Sequence, residues 1–268
     1  MGLEGANSKR TPAEHGGLAR NKNGDSCNES FIYASVVGML MYLASNSRPD
    51  IAFAVHQCAR FTHDPRHSHE LALKRIGKYL IGTRTKGLIM NPTDDLAIDM
   101  YVDADFAGLW GIEDPDDPTS VKSRTGFVIM IGGCPVLWSS KLQSEIALST
   151  MQAEYIALSM AMRDLLPFKD LVEEVCRHMG LDDEKLATIK TTVHEDNVGT
   201  LTLANLVPNP VTSKSKHYGI KVHWFRSKLK PGAIEIQKID TEFQLTDIFS
   251  KGLRRLKFED KRKQLIGW

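Results

Sequence analysis

The chain contains 268 residues, of which 42% are hydrophobic and 25% are charged, as in ordinary folded proteins. This composition excludes wholesale disorder, collagen-like repeats and a small disulfide-stapled domain. The formal net charge is only +1, but residues 94–117 contain nine acidic residues and no lysine or arginine, whereas residues 212–230 contain six basic residues and no acid. This asymmetry is compatible with an acidic, metal-binding pocket beside a surface that binds anions.

The cysteines and the N-terminus indicate a cellular compartment. Four cysteines are scattered along the chain without a CxxC pair, which argues against a zinc ribbon or a redox motif. Scattered thiols in a chain without an apolar secretion signal predict a reducing, intracellular compartment rather than secretion. The most apolar run, residues 31–45, is shorter than the ~20 residues that a membrane span needs. We therefore expect a buried core helix there and no contact with a membrane.

The first third of the chain is predicted to be helical after a flexible start. Residues 1–29 are polar and rich in glycine, asparagine and lysine, which predicts a flexible lead-in. Ser30 is well placed to cap the helix that follows, and Pro49 suits the first turn of the next one. The predicted helices span residues 30–47, 49–61 and 67–81.

Beyond about residue 87 the pattern changes to β. Ile98, Met100 and Val102 alternate with more polar positions, the period of a strand. Two further strands form a hairpin around residues 132–133, and the acidic stretch 113–118 is predicted to be a solvated loop. Strands at 189–195 and 233–239 alternate with helices, of which the longest spans residues 152–179. This order predicts a mixed sheet with helices packed on it.

Four acidic residues lie at predicted element boundaries. Asp103 ends the first strand, Glu154 lies in the first turn of the long helix, Asp196 ends the fourth strand, and Asp247 begins a late helix. Hydrolysis of a phosphodiester by two metal ions needs clustered carboxylates, because Mg²⁺ takes oxygen ligands and two ions clamp the attacking and leaving oxygens. With 33 acidic residues in the chain, however, helix caps and solvated turns would place acids at such positions without any site. Spacing alone leaves both interpretations open.

An ordered series of motifs resembles the C-terminal part of Copia-type (Pseudoviridae) retrotransposon polyproteins, from about Ser30 to the end of the chain. Each motif is weak by itself, but their common order is specific. In the connection region of the reverse transcriptase the matching stretches are YASVVGMLMYLA at 33–44, RPDI at 48–51 and YLIGT at 79–83. In the ribonuclease H domain they are DADFAG at 103–108, SRTGF at 123–127, WSSKLQ at 138–143, ALST at 147–150, AEYIAL at 153–158, DN at 196–197, KH at 216–217, FR at 225–226 and TDIFSK at 246–251.

The resemblance implies an α/β fold. The expected architecture is a ribonuclease H-like mixed five-stranded sheet flanked by helices, preceded by a small helical connection unit. The implied organisation is a flexible lead-in at residues 1–29, a helical connection remnant at 30–95, the ribonuclease H-like domain at 96–254 and a basic C-terminal helix at 255–268.

The resemblance also implies an activity and its residues. It implies an endoribonuclease that cuts the RNA strand of an RNA–DNA hybrid, with two Mg²⁺ or Mn²⁺ ions, and leaves a 3′-hydroxyl and a 5′-phosphate. The family's catalytic, metal-binding carboxylates fall on Asp103, Glu154, Asp196 and Asp247. Glu154 would hold the second ion on the side of the 2′-hydroxyl, and Asp247 would complete the coordination of the ion nearest the nucleophilic water. The implied location is a cytoplasmic virus-like particle or the nucleus.

Other expectations concern binding and partners. The polymerase motif Tyr-x-Asp-Asp does not occur in this sequence, so we expect no DNA synthesis and regard the family's polymerase domain as a candidate partner. No glycine-rich nucleotide loop occurs, so no small-molecule cofactor is expected. The alternative is a catalytically silent or domesticated fragment that binds nucleic acid or protein. Basic residues near 216–229 are candidates for contacting the hybrid backbone, although such a helix can equally be a solvated face; they are Lys214, Lys216, His217, Lys221, Arg226 and Lys228.

Overall fold

The computed structural model describes residues 1–28, 30–94, 96–113, 116–205 and 234–268, with the backbone alone at 202–205. Helices form the first part of the chain, as the sequence predicts. They are α1 (Tyr33–Asn46), a short 3₁₀ helix (Pro49–Ile51), α2 (Ala52–Ala59) and α3 (His67–Gly82).

The second part of the chain contains the sheet. Its strands are β1 (Ile98–Asp105), β2 (Arg124–Ile131), β3 (Cys134–Leu142), β4 (Thr191–Glu195) and β5 (Glu235–Lys238). Its helices are α4 (Thr150–His178), α5 (Asp183–Leu186), α6 (Val198–Asn205), α7 (Asp247–Ser250) and α8 (Arg255–Ile266).

The strands form one sheet in the order β3-β2-β1-β4-β5. The first three strands pair antiparallel, with a tight turn at residues 132–133 between β2 and β3 and a long connection over residues 106–123 between β1 and β2. Strand β4 pairs parallel with both β1 and β5. Parallel neighbours require a crossover, and helices supply it where the chain passes from β3 to β4. The prediction of a ribonuclease H-like mixed five-stranded sheet flanked by helices and preceded by helices is therefore confirmed.

Both faces of the sheet are covered by apolar side chains. Successive residues of a strand point to opposite faces, and β2 shows this clearly. Phe127 and Ile129 pack in a core with α4, whereas Val128 and Met130 pack in a second core with α1, α2, α3, α7 and α8. The sheet is therefore a rigid central layer, and the ends of its strands are fixed positions for functional side chains.

The N-terminal helices contact the sheet directly. The indole Nε1 of Trp138 in β3 donates a hydrogen bond of 2.7 Å to the carbonyl of Ala44 in α1. Between the helices, the buried Arg48 forms a two-point ion pair with Asp50, which also accepts a hydrogen bond from the Tyr79 hydroxyl at 2.6 Å. Buried charges of this kind are stable only when they are paired and hydrogen-bonded.

Residues 1–28 have little regular secondary structure but make specific contacts. Nδ1 of His15 lies 2.9 Å from the carbonyl oxygen of Gly252, and the N–H of His67 donates to the carbonyl of Asp25 at 2.8 Å. The division of the chain at residues 29, 95 and 254 remains a prediction.

Two local expectations are wrong. Helix α1 begins at Tyr33, so its N-cap residue is Ile32 and not Ser30. The amide and hydroxyl of Ser30 instead donate to Asn28 Oδ1. The expected solvated loop over 113–118 is wrong for Glu113 and Asp117, which are buried, and Glu113 pairs with Arg60 at 2.6 Å. Asp116 and Pro118 are exposed, as expected. Among the described residues, no helix combines the length and the apolar character needed to cross a membrane.

Candidate active site

Strand β1 carries the first carboxylate. Asp103 is buried near the end of this central strand, where it pairs with Gly126 of β2. The hydroxyl of Ser250 donates a hydrogen bond of 2.5 Å to Asp103 Oδ2. The strand pairing and this hydrogen bond hold the carboxylate in one position.

The start of α4 carries the second carboxylate. The Ser149 hydroxyl caps the helix by accepting the N–H of Gln152 at 3.2 Å. The side chain of Gln143 donates to the carbonyl of Ala153 at 2.8 Å, which ties the first turn of α4 to the end of β3. Glu154 is thereby held in a buried position, and its Oε2 atom has no hydrogen-bond partner.

The third carboxylate follows β4. Because β4 runs parallel to β1, Asp103 near the end of β1 and Asp196 directly after β4 lie at the same edge of the sheet. The hydroxyl of Thr241 donates to Asp196 Oδ2 at 2.9 Å. Asp196 is half-buried, so it also faces the solvent from which a substrate would approach.

These three carboxylates form a cluster, which we call the acidic triad. One oxygen atom from each of Asp103, Glu154 and Asp196 lies within 4.8 Å of the others. Burial raises the pKa of Glu154 above its ordinary value, and the negative charges of Asp103, Glu195 and Asp196 raise it further. Burial likewise raises the pKa of Asp103, although Lys251 and Ser250 oppose that shift. A shared divalent cation would offset this repulsion, and an all-oxygen donor set suits Mg²⁺ or Mn²⁺, so the residues present fit such an ion.

Asp247 lies beside the triad but is paired with lysines. It is fully buried at the first position of α7. The Nζ atom of Lys251, one helical turn later, lies 2.5 Å from Asp247 Oδ1 and 3.6 Å from Asp103 Oδ2. Lys257 from α8 contacts the other oxygen of Asp247. Burial alone would lower the pKa of Lys251, but Asp103 and Asp247 raise it above its ordinary value. Metal binding by Asp247 therefore remains a prediction.

Close packing holds α7 against the sheet. A Cβ atom at Gly126 would lie 2.8 Å from Phe249 Cβ and 3.1 Å from the Thr246 carbonyl oxygen, so the absence of a side chain allows this approach. The Ser140 hydroxyl donates to the Phe249 carbonyl at 2.6 Å. Before the helix, the Gln244 side chain donates to the carbonyl of Val102 at 2.8 Å. Together these contacts place Asp247 next to the end of β1.

Sequence reasoning did not assign a role to two further acids. Glu195 is fully buried at the end of β4; its Oε1 accepts the N–H of Asn197 at 3.0 Å, and burial raises its pKa well above the ordinary value. Glu195 lies on the same face of the strand as Thr191 and Val193, so the period-two pattern could have indicated its burial. Burial also raises the pKa of Asp105 to about 6, against the opposing effect of Lys251. The six basic residues predicted to contact nucleic acid, from Lys214 to Lys228, lie outside the described residues.

Sequence comparison finds related polyproteins. No protein-family model matches the chain. The chain is 34% identical over 229 residues to a retrovirus-related Pol polyprotein from transposon RE1 of Arabidopsis thaliana, a match that covers 85% of this chain and 14% of the polyprotein. It is 33% identical over 235 residues to that from transposon TNT 1-94 of Nicotiana tabacum, covering 88% of this chain and 16% of the polyprotein. The chain therefore spans about one seventh of the length of these relatives.

Comparison of structures finds RNase H1 proteins. LC11-RNase H1, isolated from compost by a metagenomic approach, aligns with a TM-score of 0.37 and 21% identity, over 55% of this chain and 86% of that chain. The same protein has been crystallised in complex with an RNA/DNA hybrid, and that structure aligns with a TM-score of 0.36 and 19% identity, over 55% of this chain and 88% of that chain.

Proposed function

Because the chain is homologous over most of its length to the Pol polyproteins of Copia-type retrotransposons, we propose that it is an endoribonuclease that cuts the RNA strand of RNA–DNA hybrids. The single observation that carries the proposal is the acidic triad of Asp103, Glu154 and Asp196, whose oxygens converge within 4.8 Å at one edge of the sheet. Ordinary helix caps and solvated turns do not need to converge, and they leave no buried carboxylate oxygen without a partner, as Glu154 does.

The triad residues would hold two Mg²⁺ or Mn²⁺ ions together with Asp247. Such ions supply a nucleophilic water at neutral pH and stabilise the charge on the attacking and leaving oxygens. Asp103 and Asp196 present carboxylates from the ends of neighbouring parallel strands, so their spacing is fixed by the sheet. Glu154 approaches from α4, and we propose that it orients ligands beside the 2′-hydroxyl, the group that distinguishes RNA from DNA. Products with a 3′-hydroxyl and a 5′-phosphate are expected.

We further propose the setting in which the chain acts. Its relatives are much longer polyproteins, so a polymerase domain is the proposed partner, and a cytoplasmic virus-like particle or the nucleus is the proposed location. The chain itself is expected neither to synthesise DNA nor to need a small-molecule cofactor.

A second candidate function has one observation in its favour. Lys251 and Lys257 already neutralise Asp247, and Lys251 also approaches Asp103. A carboxylate cluster that is partly neutralised by lysines can be stable without a metal ion, as in a fragment that binds nucleic acid or protein without cutting it. Metal-dependent cleavage separates this alternative from the proposed enzyme.

The test uses an end-labelled RNA strand presented as a hybrid with DNA, as single-stranded RNA and as part of duplex RNA, with duplex DNA as a further substrate. We expect cleavage of the hybrid alone, in Mg²⁺ or Mn²⁺ but not in EDTA. Asp196→Asn should abolish this cleavage, whereas the matched variant Asp99→Asn, in β1 and outside the triad, should retain it. Absence of cleavage by a wild-type chain that is shown to be folded would reject the proposal in favour of the binding function.

A further inference from the structure

A cavity of about 410 Å³ lies next to the acidic triad. Four parts of the chain form its walls: residues 15–17 of the N-terminal segment, α2 through Phe53 and Gln57, the end of β1 with the loop after it, and residues 251–257, which run from the end of α7 into α8. The volume falls within the range of about 300–1,000 Å³ that is usual for ligand pockets. None of these walls belongs to the triad itself, although Lys251 and Asp105 border both.

One wall of the cavity is basic. Lys251, Arg254 and Lys257 line it within one stretch of seven residues. Lys251 and Lys257 each use one contact on Asp247, but an ammonium group has three donors, and both side chains are more than a third exposed. Arg254 is exposed and forms no ion pair with any side chain that the structure describes. Its guanidinium therefore keeps its full set of donors for a ligand.

The narrow parts of the cavity are made of backbone. A Cβ atom at Gly252 would lie 2.5 Å from the carbonyl oxygen of Glu14 and 2.7 Å from that of Gly16, so the N-terminal segment packs directly against the basic wall. A Cβ atom at Gly108 would collide with the Asp105 carboxylate. Asp105 is the acid that lines the cavity. Of the three cations that line it, Lys251 and Lys257 are paired with Asp247, whereas no described acid pairs with Arg254. The walls thus combine a fixed shape with one unpaired guanidinium and two ammonium groups that keep free donors.

The position of the basic wall relative to the triad indicates its ligand. Lys251 Nζ is 3.6 Å from Asp103 Oδ2, and Lys251 and Lys257 contact the two carboxylate oxygens of Asp247, so the basic wall borders the triad. A nucleic-acid strand whose scissile phosphate lies on the triad must carry its neighbouring phosphates along the surface beside it. Phosphates prefer guanidinium and ammonium donors of this kind.

We propose that this cavity is a phosphate-binding subsite, in which Arg254, with Lys257 and Lys251, holds a backbone phosphate of the nucleic-acid strand next to the cleavage position. The inference deepens the proposed function and rests on it for the identity of the strand. The subsite gives no base specificity, because it contacts the backbone alone.

The test measures binding without cleavage. A fluorescent RNA–DNA hybrid is titrated with the chain in EDTA over a series of salt concentrations, for wild type, Arg254→Gln, Arg254→Glu and the control Arg255→Gln. Arg255 is the next residue, but it pairs with Glu259 and does not line the cavity. Loss of one exposed charge contact should weaken binding of Arg254→Gln on the order of fivefold. It should also reduce the slope of log K against log salt by about 1. Arg254→Glu should weaken binding further, and Arg255→Gln should match wild type.

The possible results separate the subsite from the proposed function, because hybrid cleavage by the wild type is measured in parallel. Equal affinity and salt slope for Arg254→Gln and wild type, with wild-type cleavage intact, would overturn the subsite alone. Weaker binding by Arg254→Gln without any wild-type cleavage would reject the nuclease and retain the subsite. Equal losses in Arg254→Gln and Arg255→Gln, or no binding of the hybrid by wild type, would also overturn the subsite.

Discussion

At the scale of single residues, the central feature is the excess of buried carboxylate groups at the acidic triad. Asp103, Glu154 and Glu195 are all buried, and Asp196 lies half-buried between them and solvent. Buried carboxylates that repel one another destabilise a folded chain unless a proton or a cation neutralises them. A bound cation should therefore stabilise the folded chain, and this stabilisation can be measured as a change in Tm.

Glu154→Gln should stabilise the metal-free chain at neutral pH. Because the folded-state pKa of Glu154 is raised above its unfolded value, the folded chain binds more protons than the unfolded chain at pH values between the two. The free energy of unfolding therefore falls as pH rises above about 4.3, the ordinary pKa of glutamate. A glutamine at this position removes this pH-dependent loss of stability. In EDTA at pH 8 we therefore expect a higher Tm, by about 2–4 °C for each kcal/mol by which the free energy of unfolding increases. The gain should vanish near pH 4.

Calorimetry at both pH values checks this prediction. The exposed Glu184 on α5 supplies the control variant Glu184→Gln, for which we expect the Tm of wild type at each pH. A Tm for Glu154→Gln at or below that of wild type at pH 8 would mean that the carboxyl group is neutralised by a contact other than a proton or metal.

Asp103→Asn should remove the stabilisation that a metal ion gives. An ion that binds only the folded chain raises Tm with its concentration. We therefore expect Mn²⁺ to raise the Tm of wild type and of Asp99→Asn. Mn²⁺ should have little effect on Asp103→Asn, whose metal affinity should fall by at least about tenfold. Thermal shift and calorimetric titration measure this without any nucleic acid. Equal Mn²⁺ responses in Asp103→Asn and wild type would show that the ion binds elsewhere.

At the scale of elements, helix α7 is the part whose position depends most on close packing. It is only four residues long, so it cannot be stable by itself and is held by contacts to the sheet. Gly126 allows its approach, and hydrogen bonds from Ser140 and Gln244 fix its backbone and the turn before it. A displacement of this helix would move Asp247 and Ser250 relative to Asp103.

Gly126→Ala should destabilise the chain, because the new methyl group would meet Phe249 Cβ and the Thr246 backbone at less than normal contact distance. We expect a loss of about 1–3 kcal/mol, as for other overpacked cores. The control is Gly38→Ala in α1, where the new Cβ meets nothing within 4 Å. Alanine there should stabilise the helix by roughly 0.5–1 kcal/mol. Denaturant titration measures the free energy of unfolding of both variants. Equal changes in the two variants would contradict the close packing of α7 against β2.

Much of this architecture could be predicted from the sequence, for local reasons. The alternation of Ile98, Met100 and Val102 predicts β1, and the motif order places three of the four carboxylates where they converge. The i, i+4 spacing of Asp247 and Lys251 also predicts their ion pair. The contact of Lys257 with Asp247 could not be predicted, because it depends on how α8 packs against α7. The burial of Glu113 likewise depends on Arg60, which is distant in sequence.

At the scale of the whole molecule, the N-terminal helices and the sheet share a core. Val128 and Met130 of β2 pack with apolar residues of α1, α2 and α3, and Trp138 bonds to Ala44. Near the chain terminus, the Arg48 guanidinium lies 5.4 Å from the ring of Trp268, a cation–π contact between the first and last helical parts. Regions that share a core in this way are expected to unfold together.

We therefore predict a single unfolding transition. Far-UV circular dichroism and tryptophan fluorescence should give the same midpoint in denaturant. Asp50→Asn, which breaks the buried ion pair with Arg48 in the N-terminal helices, should lower both midpoints equally, at a cost of about 3–5 kcal/mol. Two separate transitions, or a shift seen by one probe alone, would instead indicate that the helices form an independent unit.

The most direct test of the account is the cleavage of one substrate by two proteins. A 5′-labelled RNA strand annealed to DNA is incubated with wild type and with Asp103→Asn while Mg²⁺ is titrated from zero. Wild type should cut the RNA only when Mg²⁺ is present, and its products should carry 3′-hydroxyl ends. Asp103→Asn should be slower by at least about 100-fold. Cleavage by wild type in EDTA, or equal cleavage by both proteins, would contradict the claim that the acidic triad is a metal-dependent catalytic centre.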